Sequence, residues 1–163
     1  MKRIFQLFIL IFILHSCDNK FDNVIDNSSY KIHYNNNWSV EKSEIDNVEF
    51  YLIGNDSLNK FCNINLNIQN YTENQDFKTF IEKSEKQLTK NEKLVSSKYK
   101  SGYKLNYQEM IFEKDYGEFS VLYLQRFILK DLKVYVLTCT CEKDYFDENI
   151  NDVNNIFDTF TIK

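Results

Sequence analysis

The chain has no proline and no alanine, and only three glycines, two histidines and one tryptophan among its 163 residues. Several of these scarcities remove a class of chemistry. Gly54, Gly102 and Gly117 stand far apart, so no glycine-rich loop can cradle a phosphate. His15 falls in the N-terminal leader, so a Ser-His-Asp or Cys-His arrangement would have to use His33, which sits among alternating strand residues. Net positive charge is also lacking. The formal charge is −4, and loss of Lys2 and Arg3 takes it to −6. An acidic domain without a basic patch is a poor match for nucleic acid or anionic headgroups. A long apolar run is missing as well. Ile4 to Leu14, broken by Gln6, would cover about 16 Å as a helix, against a hydrocarbon core of about 30 Å.

In their place Asn, Lys, Ile, Phe and Tyr are abundant. These are residues of AT-rich codons, so the Asn content reads as genomic drift rather than an adhesive tract. The aromatic content of 16 % argues for a folded globule over disorder.

The short apolar run has a specific reading. Lys2 and Arg3 form a charged start, and Leu14-His15-Ser16-Cys17 stands where a lipobox belongs. The pattern predicts a lipoprotein signal peptide over 1–16 and lipid modification of Cys17. Two or more acyl chains on that cysteine would anchor the protein stably. The expected location is a bacterial cell envelope, at the inner or outer membrane, with the domain outside the cytoplasm.

With Cys17 acylated, Cys62, Cys139 and Cys141 remain, allowing at most one disulfide and leaving one thiol. Cys139 and Cys141 share a strand face, with Cα atoms about 6.5–7 Å apart, at the far edge of disulfide geometry. A bridge from Cys62 to one of them is open in an oxidising envelope, but buried thiols are the favoured reading. No metal or cofactor site is expected.

Residues 17–29 are expected to form the acylated cysteine and a polar tether, spanning roughly 20 Å as coil. The domain is expected over 30–163. Alternation marks strands at Tyr30–Tyr34, Val48–Ile53 and Cys62–Ile68, the last with Asn63, Asn65 and Asn67 on a wet face. Phe77, Phe80, Ile81, Ser84 and Leu88 form one helical stripe. A meander follows over Tyr103–Phe112, Glu118–Leu129 and Val134–Cys141. Its middle strand is apolar on both faces and so is covered from both sides. Phe146, Ile150, Val153 and Phe157 mark a closing helix. The predicted class is α+β, an α/β/α sandwich with a central, mostly antiparallel sheet flanked by helices.

This order, from Tyr30-Lys31-Ile32-His33-Tyr34 with Trp38 through Ser101-Gly102-Tyr103 to Ile156-Phe157-Asp158-Thr159-Phe160, resembles the Mog1/PsbP-like family, including PsbP-like bacterial lipoproteins. The family often has Pro and Gly where Asn35 and Asn37 stand here. The resemblance implies a binding scaffold and carries no catalytic motif onto these residues.

Other candidates have plainer readings. Asp144, Asp147, Glu148 and Asp152 read as a solvated helix face, since no calcium-loop pattern is present. Trp38 reads as a core anchor. Asp56-Ser57-Leu58 matches a short O-glycosylation pattern that chance also supplies. The expected function is a non-catalytic, protein-binding accessory or assembly subunit with an envelope protein as partner. The alternatives are a carrier of small hydrophobic ligands and an immunity-type lipoprotein that neutralises a toxin.

Overall fold

The computed structural model describes residues 21–55, 57, 59, 61–72, 76–101 and 105–163. Its centre is set by the most apolar segments. Strand β5 (Cys62–Asn70), β8 (Ser120–Lys130) and β9 (Lys133–Glu142) lie side by side as β5-β9-β8. Around them β3 (Trp38–Lys42), β4 (Val48–Gly54), β6 (Lys93–Ser101) and β7 (Asn106–Asp115) complete a seven-stranded antiparallel sheet, β3-β4-β5-β9-β8-β7-β6.

Side chains alternate across this sheet and divide the interior into two cores. On one face Ile64, Leu66, Leu124, Ile128, Leu137 and Cys139 pack under helix α2 (Lys143–Thr159), which buries Phe146, Val153, Ile156 and Phe157. On the other face Met110, Phe112, Phe127, Val134 and Val136 meet helix α1 (Phe77–Leu88) through Ile81. The sandwich is therefore layered as expected from the two-sided apolar pattern of 119–129. Helix α1 begins where Asp76 accepts hydrogen bonds from the Thr79 backbone N–H at 2.9 Å and the Thr79 hydroxyl at 2.8 Å, an N-cap that satisfies a free donor.

A second, three-stranded sheet holds β1 (Asn23–Asp26), β2 (Tyr30–Tyr34) and β10 (Thr161–Ile162) in the order β1-β2-β10. This places a strand within the expected tether. Residues Asn23–Asp26 are a strand paired with Tyr34–Lys31, and Ile25 and Phe21 pack against the α2-side core. The segment is too short, with too few apolar residues, to show a period of its own. Strands β3, β6 and β10 also lay outside the predicted elements.

Two tight connections set the registers. Asp131 and Leu132 both adopt left-handed backbone (φ 52° and 57°) between Lys130 and Lys133, which face each other across a two-residue hairpin. At the end of β4, a Cβ on Gly54 would lie 1.9 Å from the Asn59 carbonyl oxygen, so the loop closes onto β4 only with glycine there.

Candidate binding face

The α2 side of the sheet is filled and interlocked. Trp38 is 2 % exposed, and its indole N–H donates to Asp152 Oδ2 at 2.8 Å. Asn35 Nδ2 donates to the other oxygen of the same carboxylate at 2.8 Å, so Asp152 ties α2 to the turn before β3. Further along α2, Arg126 on β8 donates Nε to Glu109 Oε2 at 3.0 Å, an Nη to Asp158 Oδ1 at 2.6 Å and the other to Asn154 Oδ1 at 2.7 Å. Its guanidinium carbon lies 4.5 Å from the Tyr107 ring centre and 5.2 Å from that of Phe157. Lys100 Nζ reaches Glu109 Oε1 at 2.5 Å. A planar cation with five donors suits such a multi-partner, stacked position. This cluster clamps the end of α2 onto the sheet and leaves no room for a substrate against the guanidinium.

The α1 side differs. Helix α1 covers the apolar rows there, and between it and β5, β9 and β8 lies a groove of about 440 Å³. Its floor is built from Asn67 on β5, Val136 and Thr138 on β9, and Gln125 and Phe127 on β8. Register explains why these meet: Asn67 faces Val136, which faces Phe127, while Gln125 faces Thr138. Phe80, Ser84, Gln87 and Leu88 of α1 form the wall. None of the described lining residues is charged. Asn67 Oδ1 and Gln125 Oε1 are buried and have no hydrogen-bond partner. Gln125 uses its amide N–H toward Thr138 Oγ1 at 3.3 Å.

The residues singled out in the sequence fall as follows. Cys17 lies outside the described residues, as do Asp56, Leu58, Gly102 and Tyr103. Ser57 is exposed. The favoured reading of three buried thiols is corrected: Cys62 and Cys141 form a disulfide, closing a sequence separation of 79. They stand directly opposite each other on β5 and β9, the one arrangement that antiparallel register gives them. Cys139 is the buried free thiol, and burial raises its pKa to about 12. His33 is a half-buried strand residue whose backbone N–H donates to Thr159 Oγ1 at 2.8 Å. Asp144, Asp147 and Glu148 are exposed, while Asp152 departs from the expected solvated face by accepting from Trp38 and Asn35. Among the described residues no three His, Cys, Asp or Glu side chains cluster to hold a metal. Nor is any described helix long and apolar enough to cross a membrane.

Sequence reasoning passed over Arg126 and the groove. Arg126 carried a signal: it is the only charge in Val121–Leu129 and the only arginine after residue 3.

No family model matches the sequence, and no curated protein matches it. Solved structures do. Cyanobacterial PsbP (CyanoP) from Synechocystis sp. PCC 6803 superposes with a TM-score of 0.63 at 12 % identity, over 92 % of this chain and 99 % of its own. LpqN, involved in cell envelope biogenesis of Mycobacterium tuberculosis, gives 0.62 at 11 % identity, over 86 % and 90 %. The Ran-binding protein Mog1p of Saccharomyces cerevisiae gives 0.59 at 7 % identity, over 86 % and 94 %. Identities this low carry architecture and not activity. With the antiparallel sheet held between α1 and α2 and matched across nearly the whole length of these proteins, the chain has the Mog1/PsbP fold.

Proposed function

We propose that the chain is a membrane-anchored cell-envelope lipoprotein whose domain acts as a non-catalytic, protein-binding accessory or assembly subunit. The observation that carries this reading is Leu14-His15-Ser16-Cys17 at the end of an apolar run too short to span a bilayer. Lipid on Cys17 holds the domain at its membrane, and the partner is an envelope protein. Two further observations support it. A Cys62–Cys141 disulfide belongs to an oxidising compartment outside the cytoplasm. The fold is shared with LpqN, involved in envelope biogenesis, and with the Ran-binding protein Mog1p, so the scaffold is one that serves recognition.

The test is cross-linking capture from intact cells, with the full chain beside a Cys17→Ser variant and partners read by mass spectrometry. Membrane fractionation of both, and the mass of the N-terminal peptide, report the anchor. The expected result is an acylated peptide, membrane retention lost in Cys17→Ser, and one dominant envelope protein enriched by the anchored form. Equal solubility of the two forms removes the anchor. No enriched protein in either removes the accessory role.

A further inference from the structure

We infer that the groove under α1 binds a neutral, hydroxylated ligand of the saccharide class. The starting point is an energetic anomaly. A buried polar atom without a partner is destabilising, and few such atoms survive in a folded protein. Among the described residues two side-chain atoms of this kind exist, Asn67 Oδ1 and Gln125 Oε1, and both belong to the lining of the same groove. Their strands flank β9, and Gln125 stands in the row of Asn65, two residues along from Asn67, so they lie about 12 Å apart diagonally across the sheet. One small donor cannot serve both. A molecule carrying several donors and spanning the floor can.

The lining narrows the chemistry. With no charged side chain among its described lining residues, the groove offers nothing to neutralise an anion or a cation, and stripping an ion of its water there would be unfavourable. A wholly apolar ligand would leave both acceptors unpaired, so the floor also disfavours the hydrophobic cargo expected of a carrier. Hydroxyl groups answer both needs, because each donates and accepts. They also tolerate either orientation of the Gln125 amide: a flipped amide would accept from Thr138 and leave its N–H₂ unpaired instead. Beside these amides the groove carries apolar and aromatic surface from Phe80, Leu88, Phe127 and Val136, with polar Ser84 and Gln87 on the wall. Phe127 is 5 % exposed, and its ring meets that of half-buried Phe80 edge-on at 6.5 Å. Sugars present C–H faces beside their hydroxyl edges, and a groove with carboxamides and the Phe127 ring on its floor and the Phe80 ring on its wall matches both. Beyond the groove Asn65 and Asn63 continue the carboxamide row on the same face of β5, both half-buried. This inference is independent of the anchor and of any protein partner.

The experiment is calorimetric titration of the full chain, held in a zwitterionic detergent that carries no sugar headgroup. The probes are N-acetylglucosamine, cellobiose, N,N′-diacetylchitobiose, glucuronic acid and a medium-chain fatty acid. At least one neutral saccharide is expected to bind, and the acid and the fatty acid are not. Asn67→Val and Gln125→Leu each remove an unpaired acceptor, so each variant is expected to keep or raise its melting temperature while losing binding by about tenfold or more. That opposition separates a lost ligand contact from a damaged fold. Failure of every neutral saccharide to bind overturns the inference. So does binding that both variants leave unchanged, or preferential binding of the fatty acid.

Discussion

Replacing Arg126 by methionine keeps the aliphatic stem and withdraws the guanidinium from between Tyr107 and Phe157. Glu109, whose side chain is 10 % exposed, is then left with Lys100. Breaking one side of a buried pair costs about 3–5 kcal/mol, and because Lys100 still covers one carboxylate oxygen the loss should sit near the lower end, about 3 kcal/mol. Asp158→Asn removes a partner that is 65 % exposed and should cost less than about 1 kcal/mol. The double replacement Arg126→Met with Glu109→Met takes away both charges together. It should cost less than Arg126→Met alone, because no carboxylate is then stranded. Equilibrium urea unfolding reads all four proteins. With a slope of about 2 kcal/mol per molar, the midpoint of Arg126→Met should fall by about 1.5 M without a change of slope. A loss below about 1 kcal/mol, or a double variant no more stable than Arg126→Met alone, would refute the clamp.

Three further outcomes are expected. Cys62→Ser with Cys141→Ser opens a link across 79 residues, worth about 4.5 kcal/mol in the chain-entropy account; unfolding with and without reductant should differ by most of that in the wild type and not at all in the variant. The Cys139 thiol, with its pKa raised from 9.0 to about 12 by burial, should resist a thiol reagent at pH 8 until the domain unfolds. Its sign follows from linkage: the stabilisation is complete below pH 9 and disappears as the pH rises toward 12, since the unfolded chain ionises first. A melting temperature of wild type flat between pH 9 and 11, compared with Cys139→Ala, would contradict that burial.

What could be read from the residues was whatever repeats locally. The Asn/Ile alternation of Cys62–Ile68 located β5 and its wet face, and the stripe Phe77–Leu88 coincides with α1. The two-sided apolar run around Phe127 placed a central strand. What escaped depends on partners distant in the chain. Thr161 and Ile162 are a strand only because β2 offers them Lys31 and Tyr30. Lys93–Ser101, with three lysines and three serines, is an edge strand with little to bury. The pairing of Cys62 with Cys141 rather than Cys139 needs the β5–β9 register, which no spacing reveals. For the same reason the wet face at Asn67 was legible while Gln125, on the far side of β9, was not.

The unequal helices divide the domain mechanically. Helix α2 buries five side chains and is locked by Trp38 and Arg126, whereas α1 buries Ile81 alone, with Phe77, Phe80 and Leu88 half-covered. Burial of one isoleucine is worth about 1.5–3 kcal/mol, so lifting α1 as a unit costs a few kcal/mol, well below global unfolding. Amide exchange should then run fast in Phe77–Leu88 and slow in β8, β9 and α2. The sheet stays still while its lighter roof breathes, and a molecule too wide for the closed groove needs no separate gate to enter.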